Sequence, residues 1–446
     1  MPDIVFPTIV SARTAQVLHV ESQFAVFETM PRERQQQVRN RQLGALLSHA
    51  RDKAPFWAER LASLGGSVRF EDLPVLTRAD LQAHGERMRA VGPLPGGGTA
   101  GVYRSSGSTG RPVEVVKDTA LDRMLYLAQY LRMHRWHSLD ANQNALDIRD
   151  EEDGALNAPW GQAWAELGAT GRGERRSMVN HSPESLWAWL RGETAPYLFT
   201  TPTMALRLAH LALAETHARR LDAIITFGEV VTPEIRDAVR HAFGARIIDR
   251  YSCEEGGWLA FQCPRHDHLH VAAASVHLEI VGDDNRPVTP GEEGRVLITP
   301  LHGYAQPLIR YDLGDRAVAG EACDCGLTLP VIRQVLGRER SFIAVPGGGL
   351  RLARLTGEYW RAVAPVDEYR VVQYRDGVIE AFVTAARPLT PTEIGAAEAM
   401  LRQVLHPGLE TVVTQVATID WPSRWKRVDI TRVDWLRGQA PTAPDR

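Results

Sequence analysis

The sequence predicts an α/β protein: a large N-terminal domain of doubly wound sheets with a β-rich subdomain, then a small α+β domain. Three observations carry that expectation. Apolar runs of buried-strand type, Tyr197 to Thr201 and Ala223 to Phe227, flank a stretch of helical periodicity from Pro202 to Ala218. Such alternation builds a parallel sheet covered on both faces. Val271 to Pro300 alternates apolar and polar residues instead, with turns at Asp283-Asp284-Asn285 and between Gly291 and Gly294, as antiparallel hairpins do. A chain of 446 residues is too long for one small core, so a main domain over 1–336 and a companion over 337–446 are expected.

The elements follow in order. Between Pro31 and Leu61, Val38, Leu43, Leu46, Leu47 and Ala50 recur at helical spacing among Arg and Gln, which predicts an amphipathic helical region. Thr77 is placed to cap a short helix after Pro74. Val113 to Val116 favours a strand and Leu121 to His134 a helix. Ala141 to Gly173, rich in Gly, Asp and Ala, has too little periodicity to assign. Pro233 to Phe243 reads as a helix and Ala245 to Asp249 as a strand. Gly337-Arg338 opens a new segment, Pro346 to Gly349 turns, Glu368 to Val383 reads as β, and Thr390 to Leu405 as an amphipathic helix.

Composition narrows the function. The chain is 44% hydrophobic and 24% charged with a formal net charge of -3, and without long Lys/Arg blocks it lacks the footprint of a nucleic-acid binder. No apolar run reaches the roughly 18 residues of a membrane span, and no basic segment precedes the short apolar stretch broken by Pro7, so a cytoplasmic protein acting on small molecules is expected. Lys53, Lys117 and Lys426 are its lysines, every other basic residue apart from histidine being Arg. Where such a chain keeps a Lys, a compact point charge is a candidate requirement.

Tyr103-Arg104-Ser105-Ser106-Gly107-Ser108-Thr109-Gly110-Arg111-Pro112 is the segment richest in chemistry. Its small hydroxyl residues and glycines allow backbone N–H and side-chain O–H groups to converge on one anion. The Gly-Lys-Ser/Thr ending of a P-loop is absent. Tyr251-Ser252-Cys253-Glu254-Glu255-Gly256 follows a predicted strand, where open sheets bind ligands; there a ring can stack on a purine and a carboxylate can hold Mg²⁺. In Arg310-Tyr311-Asp312-Leu313-Gly314-Asp315, the Asp315 carboxylate can accept both ribose hydroxyls, while Arg310 can meet a phosphate or fix Asp315.

In their order and spacing, the Ser105 to Arg111 loop, Phe227-Gly228-Glu229, Tyr251 to Glu255, Arg310 to Asp315 and Gly337-Arg338 resemble the adenylate-forming superfamily. The phenylacetate-CoA ligase branch is the most similar, its likeness including Leu46 to Leu61 and Leu73 to Asp80. The resemblance covers nearly the full chain. It implies attack of a carboxylate, aromatic by family likeness, on the α-phosphate of ATP to give acyl-AMP, then acyl transfer to coenzyme A. It also implies that Ser105, Ser106, Gly107, Ser108, Thr109, Gly110 and Arg111 hold the phosphates. Gly228 and Glu229 border the adenine, Tyr251 stacks on it, Glu255 binds Mg²⁺, and Asp315 binds the ribose. Arg338 and Arg340 lie where the small domain swivels. A homodimer is left open.

Three departures bear on that expectation. Glu254 stands where the family has Thr or Ser, a charge that would repel ATP unless offset. Ala272 to Ala274 replace a commonly acidic stretch. The family's catalytic Lys lies three residues before an Arg-Val pair, and Arg427-Val428 put Arg424 in that slot with Lys426 two residues later. Lys426 is taken as catalytic, with Arg424 as the alternative. The altered motif keeps two other readings open, transfer to an amine or carrier protein and a nucleotide-binding relative without turnover.

Cys263-Pro264-Arg265-His266 and Cys323-Asp324-Cys325 bring three thiols and an imidazole from two hairpin-like loops, the donor set of a closed structural Zn²⁺ site. His268 and His270 are alternatives to His266. A disulfide is disfavoured in a reducing cytoplasm.

Overall fold

The computed structural model describes residues 9–64, 69–104, 113–215, 219–338, 342–348, 350–352, 355, 359–360, 362–419, 430–433 and 437. The chain divides into two compact units, Met1–Val335 and Leu336–Arg446.

The first unit is built on a six-stranded sheet in the order Gly154–Leu156, Gly173–Ser177, Ala145–Arg149, Tyr197–Thr200, Ala223–Thr226, Arg246–Ile248. All neighbours run parallel except the edge strand Gly154–Leu156. Alternate residues explain why both faces are covered. Leu146, Ile148, Leu198, Ile224 and Ile247 pack with Leu186, Leu208, Val239 and Phe243 of the helices Pro183–Leu190, Pro202–Ala214 and Pro233–Phe243. Ala145, Tyr197, Phe199, Ala223 and Ile225 face the other way, into a core with Trp136, Trp160 and Trp258. The central strand Ala145–Arg149 lies inside the stretch that could not be assigned. Its Ala-Leu-Asp-Ile-Arg sequence buries Asp147, which is held by Arg149 (2.7 Å) and Arg175 (2.9 Å), and those charges break the apolar run that marks a strand.

A seven-stranded sheet joins the hairpin region to the segment that carries Tyr251. It runs antiparallel from Val276–Val281 through Glu293–Pro300 to Tyr311–Ala319, and from Val331–Arg338 through Leu269–Val271 and Gly257–Gln262 to Arg250–Cys253. The N-terminal region is helical over Ala12–Phe27, Arg32–Lys53 and Pro55–Ala62, the last two separated by Ala54 before the helix-starting Pro55. Thr77 caps Arg78–His84 with a full capping box.

The second unit has a four-stranded sheet in the order Thr411–Gln415, Ile379–Ala385, Val366–Gln373, Ile430–Arg432. Helix Pro391–Val404, capped by Thr390, buries Ala397, Met400 and Leu401 against Val371, Ile379, Ala381 and Val383. Among the described residues, no helix is long and apolar enough to cross a membrane.

Candidate functional site

The parallel strands end on one edge of the six-stranded sheet, where ligands of open α/β sheets bind, and residues that follow Ala223–Thr226 and Arg246–Ile248 line a crevice there. After Ala223–Thr226 the chain turns at Gly228, whose φ of +80° suits glycine and strains other residues. That turn places Glu229 so that its Oε2 accepts the backbone N–H of Thr203 at 2.9 Å, at the positive end of helix Pro202–Ala214. After Arg246–Ile248 come Asp249, Arg250 and Tyr251. Glu229, Pro233, Arg236, Asp249, Tyr251 and Gln334 are among the residues around a cleft of about 270 Å³.

Tyr251 donates its hydroxyl to Asp315 Oδ2 at 2.6 Å. Asp315 is buried in strand Tyr311–Ala319 of the same seven-stranded sheet, with three strands between it and Arg250–Cys253 in the sheet order. The bond anchors the Tyr251 hydroxyl and brings the two motifs together. Glu255 is buried at 5% exposure, and its Oε1 has no hydrogen-bond partner among the described residues. An unmet carboxylate oxygen is costly to bury, so the position fits a cation ligand. Glu254, the residue after Cys253, is exposed, so its charge faces solvent.

Arg310 departs from expectation. It is 1% exposed, and every guanidinium nitrogen is engaged. Nε donates to Glu279 Oε2 (3.1 Å), Nη1 to the carbonyls of Glu71 and Leu73 (2.8 and 2.7 Å), and Nη2 to that of Asn285 (2.8 Å), while Nη2 lies 3.0 Å from Glu279 Oε1. It therefore neither fixes Asp315 nor reaches a phosphate. It ties the Glu71 to Leu73 segment to the seven-stranded sheet.

The segment 105–112, Arg340, Arg424 and Lys426 lie outside the described residues. The strands flanking the first of these, Ala100–Arg104 and Glu114–Asp118, pair antiparallel with Arg104 opposite Glu114. Lys117 lies 3.3 Å from Asp122 and 4.9 Å over the Tyr103 ring. Arg338 ends strand Val331–Arg338 in the second unit.

The thiols and imidazoles gather as their chemistry suggested, with a different histidine. Cys263, His268, His270 and Cys323 bring donor atoms within 4.8 Å of one another. Cys263 Sγ and Cys323 Sγ are 3.8 Å apart, and Cys325 Sγ is 3.2 Å from His270 Nε2. His266 instead contacts Asp324 Oδ1 through Nε2 at 2.6 Å and belongs to a second group with Cys323. It is exposed on the loop, within reach of an acidic partner, whereas His268 Nε2 is buried and unpartnered. Burial holds His270 down to about 4, so its ring is neutral. Two thiolates on a tetrahedral zinc lie roughly 3.8 Å apart, the separation observed, so the donor set fits that ion.

Sequence reasoning passed over Arg250, although it stands between Asp249 and Tyr251, and over the rings around it. A charged residue directly after a buried strand was the available signal.

The architecture and these residues define an adenylate-forming enzyme. The chain belongs to the AMP-binding enzyme family, which it matches over residues 30–301. Among curated proteins it is similar to a phenylacetate-coenzyme A ligase of Thermus thermophilus, 25% identical over 381 residues that cover 79% of this chain and 81% of the relative. Among solved structures it is similar to a 2-hydroxyisobutyryl-CoA ligase. In the postadenylation state with R3-HIB-AMP, that enzyme matches with a TM-score of 0.70 at 20% identity, over 92% of this chain and 91% of the other. An open conformation of it with 2-HIB-AMP and CoA matches with a TM-score of 0.59 at 20% identity, over 92% and 93%. At that identity the likeness establishes the fold.

Proposed function

We propose that the protein activates a carboxylic acid, aromatic by preference, with ATP and passes the acyl group to coenzyme A. A carboxylate oxygen attacks the α-phosphorus and pyrophosphate leaves; the thiol then attacks the acyl carbon and AMP leaves. The observation that carries this reading is the joining of Tyr251, Asp315 and Glu255 at the crevice of an AMP-binding fold. In it the Tyr251 ring stacks on adenine and Asp315 accepts from the ribose hydroxyls. Glu255 would hold Mg²⁺, which when bound neutralises charge on the phosphate oxygens. Electrostatic stabilisation of the crowded α-phosphate is the main catalytic requirement, and we assign part of it to Ser105 to Arg111 and to Lys426.

The name of the Thermus thermophilus relative favours an aromatic acid, as do the rings of Tyr126, Tyr130, Phe199, Phe227 and Trp258 beside the crevice. Arg424 in the slot of the usual Lys favours a second reading, in which an amine or a carrier protein takes the acyl group. Cys263 and Cys323 with His268 and His270 are proposed to hold one structural zinc, with Cys325 Sγ beside them at 3.2 Å from His270 Nε2. With all four positions filled, that ion would tie two loops together and leave no open coordination site.

Pyrophosphate release with a panel of aromatic acids, with and without coenzyme A, tests the function. Release that depends on the acid, with a thioester formed when the thiol is present, is the expected result. Steady release that is indifferent to coenzyme A favours the second reading, and no release with any acid contradicts adenylation.

A further inference from the structure

Arg250 is a buried guanidinium without an ion-pair partner among the described residues. The residue is 8% exposed. Its Cζ lies 5.0 Å from the centre of the Trp258 ring, 5.4 Å from Phe227 and 5.7 Å from Phe199. Its one hydrogen bond from the guanidinium runs from Nε to the Thr226 carbonyl at 3.2 Å, and no carboxylate among the described residues is within ion-pair distance. Burial accordingly pushes its pKa down.

Nearby acids are committed elsewhere. Asp147 accepts from Arg149 and Arg175, which also reach Glu151. Asp249 accepts from the Thr226 hydroxyl (3.0 Å) and from the backbone N–H of Arg250 (2.9 Å), and burial raises its pKa. Leaving a charge buried without a partner is costly, and rings alone offset only part of that.

Position says what the charge is for. Arg149, Phe199, Phe227 and Arg250 lie at or just beyond the C-terminal ends of the strands Ala145–Arg149, Tyr197–Thr200, Ala223–Thr226 and Arg246–Ile248, the ligand-binding edge of the sheet. Arg250 directly precedes Tyr251. Helix Thr119–His137 closes the far side with Tyr126, its ring 5.3 Å from that of Trp258. Arg132, the other guanidinium boxed by rings, differs on this point. It donates to Gln129 and packs among Phe24, Trp136 and Phe261, away from the strand ends.

We infer that Arg250 is a specificity residue for an aromatic acid carrying a second anionic group, most simply a second carboxylate. The inference rests on the adenylation reading for the identity of the reacting end. The reacting carboxylate needs its lone pairs for the α-phosphorus and loses its charge in the acyl adenylate, so a guanidinium bound to it would hinder attack and then lose its partner. A second carboxylate keeps its charge through both half-reactions. Arg250 itself lines the cleft of about 270 Å³, together with Glu229 and Tyr251, and the rings of Phe199, Phe227 and Trp258 pack around its guanidinium.

Calorimetric titration of the full chain with benzoate and with the three benzenedicarboxylates tests this, alongside Arg250→Met and Arg250→Lys. At least one diacid is expected to bind roughly 10- to 100-fold tighter than benzoate, the range for a charge-assisted hydrogen bond. Arg250→Met should bring the two within about threefold, Arg250→Lys should retain part of the preference, and the unliganded Arg250→Met protein should melt no lower than the parent. Equal binding of benzoate and every diacid by the parent overturns the inference, as does a preference that survives in Arg250→Met. The parent's preference decides the matter even if a variant fails to fold. Diacid preference without pyrophosphate release would sink the adenylation reading alone, whereas release with monoacids and no diacid preference would sink this inference alone.

Discussion

Arg310 shows how a residue in a ligand-binding motif can serve the scaffold. Its backbone takes φ +51°, a strained value for a non-glycine residue, and the Glu279 pair and three carbonyls over-determine it. Removing the guanidinium leaves Glu279 buried and unpaired, so Arg310→Ala should destabilise the first unit by about 3–5 kcal/mol. Chemical denaturation should show the loss, and Arg310→Met combined with Glu279→Met should recover most of it. A shift below about 1 kcal/mol for Arg310→Ala would show that the pair is solvated. The sequence singled out Asp315, which the structure joins to Tyr251, because a carboxylate can accept from both hydroxyls of a ribose. It hid the fate of Arg310, whose partners Glu71, Leu73, Glu279 and Asn285 are distant in sequence.

At the scale of elements, the two Cys/His loops are the clearest case of chemistry readable before geometry. Thiol spacing marked Cys263, Cys323 and Cys325, yet the choice among His266, His268 and His270 depends on loop direction, which spacing does not encode. Strand Leu269–Val271 carries His270 inward, while Asp324 draws His266 outward. Elemental analysis should find about one zinc per chain, and Cys323→Ser should lose both the metal and thermal stability. His266→Ala should retain the metal. A native preparation without zinc would refute the site, and loss of zinc in His266→Ala would return that residue to the ligand set. Among the other elements, helix Pro233–Phe243 was legible to its ends because Thr232 caps it, Pro233 opens it and Gly244 closes it. Strand Ala145–Arg149 was not, since tertiary ion pairs let it carry charges that a single sequence reads as loop.

For the whole molecule, the parallel sheet gives the crevice and the antiparallel sheet gives Tyr251, Glu255 and Asp315, so the nucleotide site we propose lies where the two sheets meet. Motif order foretold the meeting of Tyr251 and Asp315; the rings of Tyr126, Phe199, Phe227 and Trp258, proposed as neighbours of the acid, come from four separate segments, which motif order does not bring together. The central claim is that this junction holds adenine nucleotides. Titration calorimetry with ATP and Mg²⁺, run on the parent and on Asp315→Ala, tests it most directly. Binding by the parent, weakened roughly 10-fold or more in the variant through loss of charge-assisted bonds to ribose, is the expected result, and no heat of binding in the parent, or equal affinity in both, would contradict it.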